Sequence, residues 1–128
     1  MDILWLRADR NRLEQVLVNL VGNAIKYSPA GGPVEVRLTP STDGQQVQVS
    51  VQDQGIGIPR EQQARLFGRF VRATNAAASG ITGTGLGLFL CRELIERHGG
   101  QIWVESEEGQ GATLSFVLPL DGPAEDLI

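Results

Sequence analysis

The sequence is short of cysteine, of clustered positive charge and of long apolar runs. Its single cysteine, Cys91, excludes an internal disulfide and favours the reducing cytosol. Eleven basic residues stand against fifteen acidic ones, a net charge of −4, which argues against sequence-independent nucleic-acid binding. No apolar stretch approaches the ~18 residues of a membrane-spanning helix, and from the first residues we expect no signal peptide. We therefore expect a cytoplasmic domain without direct membrane or nucleic-acid contact.

Glycine, in contrast, is abundant. It accounts for 16 of 128 residues, about twice the usual share of ~7%. Seven of these glycines fall between Gly55 and Gly87, without the three-residue repeat of collagen. Clustered glycine indicates backbone that turns tightly or approaches a ligand closely, although a flexible surface loop would have the same composition.

The spacing of apolar residues predicts the order of the elements. A first helix follows the N-cap Asp9 and ends by Tyr27, and a second runs over about 86–98 and is closed by Gly99 and Gly100. Alternation predicts four strands, in a hairpin over 34–51 and a pair over 102–118, plus a weak strand over 3–7. A short helix is expected over 60–66.

This order of elements favours an α+β fold in a single domain over residues 1–128. We expect a two-layer α/β sandwich, in which a mixed sheet of about five strands is covered on one face by about three helices. The tail over 119–128 is rich in proline and acidic residues and is expected to be frayed.

The first helix has a polar stripe of Asn19, Asn23 and Lys26, which lie within roughly 60° of one another. They flank the apolar face instead of opposing it. Two carboxamide oxygens and an ammonium in line suit a hard cation and a phosphate, although a solvated helix face would have the same pattern.

Two glycine motifs follow the stripe. Asp53-Gln54-Gly55-Ile56-Gly57 ends a predicted strand, where the carboxylate of Asp53 can accept a hydrogen bond from an exocyclic amine; an ordinary turn is the alternative. Gly83-Thr84-Gly85-Leu86-Gly87-Leu88 opens the second helix and exposes backbone N–H groups suited to an anion. This motif matches neither the Walker A loop nor the dinucleotide fingerprint. Two interpretations are left, a phosphate site of another kind and a glycine-rich start of a helix.

Together these motifs resemble the N, G1, F and G2 boxes of sensor histidine kinases. The F box corresponds to Leu66-Phe67-x-x-Phe70, and Gly109-Gln110-Gly111-Ala112-Thr113 resembles the small box before the last strand. Order and spacing match over about residues 9–118. The chain is therefore identified as similar to the catalytic, ATP-binding domain of such kinases, with the Bergerat-type fold.

The resemblance implies a role for each matching residue. Asn23 is expected to hold Mg²⁺, Asp53 to read adenine, and Asn19, Lys26 and Arg72 to act on the phosphates, with Arg69 a weaker candidate for the γ-phosphate. A mobile lid is implied over about 58–83, anchored by Phe67 and Phe70. The full set implied to bind the nucleotide is Asn19, Asn23, Lys26, Tyr27, Asp53, Gly55, Gly57, Ile58, Phe70, Gly83, Thr84, Gly85, Leu86, Gly87, Leu88 and Thr113.

The implied activity is transfer of the γ-phosphoryl group of Mg-ATP to a histidine in trans. Related ATPases carry a glutamate base where this chain has Asn19, which points to transfer and not hydrolysis. The acceptor is expected on a separate helical dimerisation domain, with a response regulator as the next partner and the isolated domain a monomer. The only histidine here, His98, is expected to be structural, in its charged form near a helix C-terminus.

Two alternatives remain at this stage. The domain could bind ATP without turnover, as a pseudokinase, or it could phosphorylate a serine on a partner, as anti-sigma-type domains of the same fold do. The Tyr27 position and the Phe67/Phe70 pair favour the histidine kinase.

Overall fold

A computed structural model describes residues 8–68 and 87–120 of the chain. The described elements, in chain order, are α1 (Arg10–Lys26), β1 (Glu35–Pro40), β2 (Gln46–Gln52), α2 (Arg60–Gln63), α3 (Gly87–Arg97), β3 (Gln101–Ser106) and β4 (Ala112–Pro119).

The first helix begins and ends where its sequence predicts. The Asp9 side chain caps α1 by accepting hydrogen bonds from the backbone N–H groups of Asn11 (3.1 Å) and Arg12 (3.2 Å). Lys26 occupies the last turn, where its charge is favourable to the helix dipole, and Tyr27 is the C-cap. The helix buries one stripe, Val16, Leu20 and Ala24, against the rest of the domain.

The four described strands form one sheet in the order β1-β2-β4-β3, and every neighbouring pair is antiparallel. The two-layer α+β arrangement agrees with the sequence prediction, but the described sheet has four strands and no parallel pair, in place of a mixed sheet of about five. The predicted strand over 3–7 lies outside the described residues. The β1–β2 and β3–β4 pairs are antiparallel because each is joined by a short turn.

The core lies between the sheet and the two long helices. Val47, Val49 and Val51 alternate along β2 toward the helices, and Val49 is paired with Phe116 of β4, which is fully buried. The helix α1 packs on β2, whereas α3 packs on β3 and β4. Burial of a side chain such as Phe116 contributes roughly 1.5–3 kcal/mol.

The edge strand β1 departs from its sequence pattern. Val36 and Leu38 alternate with polar residues, and all six residues of β1 are exposed, Leu38 to 61%. In the described part of the chain β1 pairs only with β2, and neither helix packs against it. Alternation therefore predicted the strand correctly, although neither face of it is buried.

His98 joins the end of α3 to the beginning of α1. Its Nε2 accepts a hydrogen bond from the backbone N–H of Asp9 (2.9 Å), and its Nδ1 donates to the carbonyl of Leu94 (2.7 Å). The structural role is confirmed.

Within residues 8–68 and 87–120, no helix has the length and apolar character needed to cross a membrane.

Candidate functional site

Asn19, the first residue of the polar stripe of α1, lies where this helix meets the first turn of α3. Asn19 and Asn23 are half-buried and Lys26 is exposed. Gly87, the first residue of α3, faces Asn19 so closely that a Cβ added to it would lie 3.7 Å from Asn19 Oδ1. Residues from the predicted N and G2 boxes, 68 positions apart in the sequence, are therefore neighbours.

Cys91 lies one turn after Gly87 and supports the same contact. Its thiol is fully buried, lies 3.9 Å from the Val16 carbonyl and is hydrogen-bonded to the Asn19 side chain. Burial raises the pKa of the Cys91 thiol to about 11, and the Asn19 bond opposes this only in part. The thiol is therefore protonated and unreactive at neutral pH.

Asp53 presents a buried carboxylate at the end of β2. Its side chain is 5% exposed, and its Oδ1 accepts hydrogen bonds from the backbone N–H groups of Gly55 (2.9 Å) and Ala112 (3.2 Å). Burial raises the pKa of this carboxyl, whereas the two hydrogen bonds lower it by a smaller amount. Both bonds use Oδ1, so Oδ2 is available to a hydrogen-bond donor on a ligand.

Three glycines are required around Asp53 because backbone segments touch there. A Cβ on Gly55 would lie 1.9 Å from the Tyr27 carbonyl oxygen, and one on Gly111 would lie 2.2 Å from that of Asp53. Gly57 has a φ of +70° and packs in the same way against Glu107. Since real Cβ atoms do not approach so closely, this part of the glycine cluster is packed backbone and not a flexible loop.

The loop after Asp53 is also held by backbone hydrogen bonds. The Ile56 N–H donates to the Tyr27 carbonyl at the end of α1 (3.0 Å), and the Ile56 carbonyl accepts from Gly109 N–H (2.7 Å). The end of the N box, the G1 box and the small box therefore meet at one place.

The other predicted site residues have different surroundings. Ile58 packs in the hydrophobic core at 8% exposure, in the same cluster as Phe67, and Leu88 packs against that core. Thr113 lines one pocket together with Asp53 and Gly111. The backbone of Ala112, not the Thr113 side chain, contacts Asp53. The remaining ones, Phe70, Arg72, Gly83, Thr84, Gly85 and Leu86, lie outside the described residues, as does Arg69.

The sequence motifs missed two residues that build the site, Gln63 and Ser106, and assigned no role to a third, Gly111. Gly111 was noticed only as part of the small box, although its contact with Asp53 makes it a site residue. Gln63 and Ser106 hold the loop after Asp53 through hydrogen bonds with Ile58. Nothing in their local sequence indicates this role. Ser106 bonds to Ile58 and to Gln63, and both bonds join segments more than 40 residues apart in the chain.

The part of the chain that the structure describes contains no group of three or more His, Cys, Asp or Glu residues that could hold a metal ion by themselves. The half-buried Asn23 carboxamide makes no hydrogen bond to another described residue, so its oxygen is available to a cation. One neutral oxygen suits Mg²⁺ bound mainly through phosphate and water, which is how this ion is usually held.

Comparison with known proteins places this site in a wider context. Residues 8–122 match the family described as histidine kinase-, DNA gyrase B-, and HSP90-like ATPase. The chain is 41% identical over 123 residues to the sensor histidine kinase WalK of Bacillus subtilis, covering 96% of this chain and 20% of WalK. It therefore spans about a fifth of the length of that relative.

Two solved structures have the same fold. The catalytic domain of the histidine kinase ThkA is 37% identical with a TM-score of 0.73, over 89% of this chain and 71% of that chain. Full-length ShkA in complex with AMPPNP is 35% identical with a TM-score of 0.80, over 95% of this chain and 24% of that chain.

Proposed function

This chain belongs to the family of histidine kinase-, DNA gyrase B-, and HSP90-like ATPases, as one of its histidine kinase catalytic domains, and we propose that it binds Mg-ATP and donates the γ-phosphoryl group to a histidine on a separate helical domain. The proposed acceptor is the dimerisation domain of the same kinase, and a response regulator follows it. The catalytic domain over residues 1–128 is proposed to be a cytoplasmic monomer. The lid expected over about 58–83 does not begin at Ile58, because Ile58, Leu66 and Phe67 pack in the core.

The observation that carries the proposal is the carboxylate of Asp53. Asp53 is buried, and its side chain is hydrogen-bonded through Oδ1 alone. Gly55 and Gly111 allow close backbone contacts beside it, Gly55 with the Tyr27 carbonyl and Gly111 with the Asp53 carbonyl. The second oxygen of this carboxylate, Oδ2, receives no hydrogen bond from the described residues and therefore suits the exocyclic amine of adenine. The AMPPNP in the related ShkA structure is an analogue of ATP and supports the same base.

The proposed phosphate end of the site is the stripe on α1. Asn23 supplies a neutral oxygen to Mg²⁺, and Asn19, facing Gly87, lies toward the phosphates. Lys26 in the last turn of α1 provides a positive charge for the same groups. When bound, the Mg²⁺ ion neutralises part of the triphosphate charge.

The residue types favour transfer over hydrolysis. A carboxamide cannot take a proton from water, so Asn19 does not activate water as a carboxylate base would. Phosphoryl transfer depends mainly on positioning and charge stabilisation, and a histidine presented in line needs little further activation. The proposal therefore requires an acceptor domain that brings its histidine to the γ-phosphate.

The test is transfer of label from γ-labelled ATP to a separately produced helical domain of the parent kinase. We expect label on that domain only when the catalytic chain and Mg²⁺ are present, in a bond that is labile in acid and stable in base, as a phosphohistidine is. Label that resists acid would indicate a serine kinase. ATP binding without any transfer would indicate a pseudokinase.

A further inference from the structure

A side chain outside the predicted motifs joins α2 to the end of β3. The Gln63 Nε2 donates hydrogen bonds to the backbone carbonyls of Ile58 (3.0 Å) and Ser106 (2.8 Å). One amide group thus bridges the end of the loop after Asp53 and the end of β3. Gln63 is half-buried, so loss of the bridge would leave both carbonyls poorly satisfied.

The hydroxyl of Ser106 extends this bridge to Gly111. It accepts a hydrogen bond from the backbone N–H of Ile58 (2.9 Å) and donates one to the carbonyl of Gly111 (2.6 Å). Ile58 is therefore held at both of its backbone groups, the N–H by Ser106 and the carbonyl by Gln63. Its side chain is fixed in the core as well.

Gly111 in turn lies directly against Asp53. Its Cα is so close to the Asp53 carbonyl that an added Cβ would be 2.2 Å from the oxygen. The next residue, Ala112, donates its N–H to Asp53 Oδ1 at 3.2 Å. A continuous series of contacts therefore runs from Gln63 through Ser106 and Gly111 to the Asp53 carboxylate.

We propose that Gln63 is a positioning residue for base selection: through Ser106 and Gly111 it fixes the direction in which Asp53 presents its carboxylate. This inference rests on the proposed function, because it takes Asp53 to be the residue that reads adenine. Gln63 touches no ligand in this role and acts only through the residues that it holds. Selectivity is the property at stake, since a carboxylate that can turn discriminates less between an amine donor and a carbonyl acceptor.

Two variants of the same shape test the proposal. Gln63→Met keeps the length of the side chain but has no donor, and Gln63→Glu places carboxylate oxygens against the two carbonyl oxygens. With Mg-ATP and Mg-GTP titrated into the chain, we expect the preference for ATP to fall about threefold in Gln63→Met and about tenfold in Gln63→Glu. Gln45→Met makes the same change at an exposed turn and should leave the ratio unaltered.

The ratio of affinities separates positioning from folding. A Gln63 that only stabilises the fold would lower the melting temperature and leave the ATP-to-GTP ratio of the folded protein unchanged. A Gln63 that only fills space would tolerate both variants, because both keep its volume. Either result, in a chain whose wild type binds ATP, would overturn the proposal.

A second measurement needs no nucleotide. Amide hydrogen exchange at Ile58 should be faster in Gln63→Met and in Ser106→Ala, and the double variant should change it by less than the sum of the two, as expected for one network. Additive effects would overturn the network. If the wild type bound neither nucleotide, the proposed function would fail together with the adenine role, while faster exchange would still establish the bridge.

Discussion

At the scale of single residues, the burial of Asp53 lowers the stability of the fold at neutral pH while it provides a carboxylate for ligand binding. Burial raises the pKa of its carboxyl, so the ionised form is costly in the folded chain, and the N–H groups of Gly55 and Ala112 offset this only in part. When the pKa of a carboxyl is higher in the folded chain than in the unfolded chain, the free energy of unfolding falls as the pH rises. The fall begins near the unfolded pKa of about 3.9 and continues through the pKa of the folded chain. At neutral pH the carboxylate therefore serves ligand binding better than stability.

Asp53→Asn should consequently stabilise the fold while it impairs nucleotide binding. The amide oxygen can still accept from Gly55 and Ala112, but no charge is buried. Urea denaturation at pH 7 should give an unfolding free energy no lower than that of the wild type, and the difference should shrink at pH 4. ATP affinity should fall at least about tenfold, since an amide donor faces the adenine amine. A less stable variant at pH 7 would contradict this account.

Asn23 allows a test of the metal. Asn23→Ala removes one oxygen ligand, and alanine is the better helix former, so α1 should be retained. The gain in ATP affinity on adding Mg²⁺ should be several-fold smaller in the variant than in the wild type. The control is Asn11→Ala, an exposed change on the same helix. Equal Mg²⁺ dependence in all three proteins would remove Asn23 from the metal site.

At the scale of elements, close backbone contact joins α1 to the loop after β2. Gly55 lies against the Tyr27 carbonyl, and Ile56 donates its N–H to the same oxygen. No side chain fits between these segments. The end of the first helix and the Asp53 loop are therefore placed relative to each other by glycine.

Two glycine-to-alanine changes should have opposite effects. Gly55→Ala would place a Cβ 1.9 Å from the Tyr27 carbonyl oxygen and should destabilise the fold by about 2 kcal/mol or more. Gly22→Ala, on α1 with no atom within 4 Å of the new Cβ, should stabilise it by about 0.5–1 kcal/mol. Thermal unfolding of both variants checks the pair. Similar effects from both would mean that Gly55 is not in contact with α1.

The elements themselves could be predicted from the sequence, because their signals are local. Asp9 and Tyr27 bound α1 as expected, and the alternation of Val47, Val49 and Val51 identifies a strand with one buried face. The exposure of β1 could not be predicted, because burial depends on what packs against the strand and not on its own pattern.

The residues of the site could be predicted only where they belong to a short sequence motif. Asp53 and Gly55 belong to a short motif whose spacing is visible in the sequence. The bridge made by Gln63 depends on the approach of β3 to the Asp53 loop, which no local pattern encodes. Thr113 belongs to the small box, and it lines one pocket with Asp53 and Gly111.

At the scale of the whole molecule, the chain contains no accessible histidine acceptor among its described residues. Both ring nitrogens of His98 are engaged by backbone groups of Asp9 and Leu94. His98 also follows the last turn of α3, about 16 Å along the helix from Gly87, given 11 residues at ~1.5 Å each. The site and the only imidazole are therefore at opposite ends of one helix.

The isolated chain should accordingly neither label itself nor hydrolyse ATP at an appreciable rate. After incubation with γ-labelled Mg-ATP, the protein should carry no label and free phosphate should stay near the level without protein, because Asn19 cannot act as a base. His98→Gln serves as the control for self-labelling. Rapid release of phosphate, or label that disappears in His98→Gln, would contradict the proposed division between catalytic and acceptor domains.

The central claim is that Asp53 and the backbone around it form a binding site for an adenine nucleotide. Calorimetric titration of the isolated chain tests this claim most directly. With Mg²⁺ present, we expect ATP to bind with one-to-one stoichiometry and at least about tenfold more tightly than GTP, since the guanine carbonyl would face the Asp53 carboxylate, acceptor against acceptor. Equal affinities for the two nucleotides, or no heat of binding with ATP, would contradict the account.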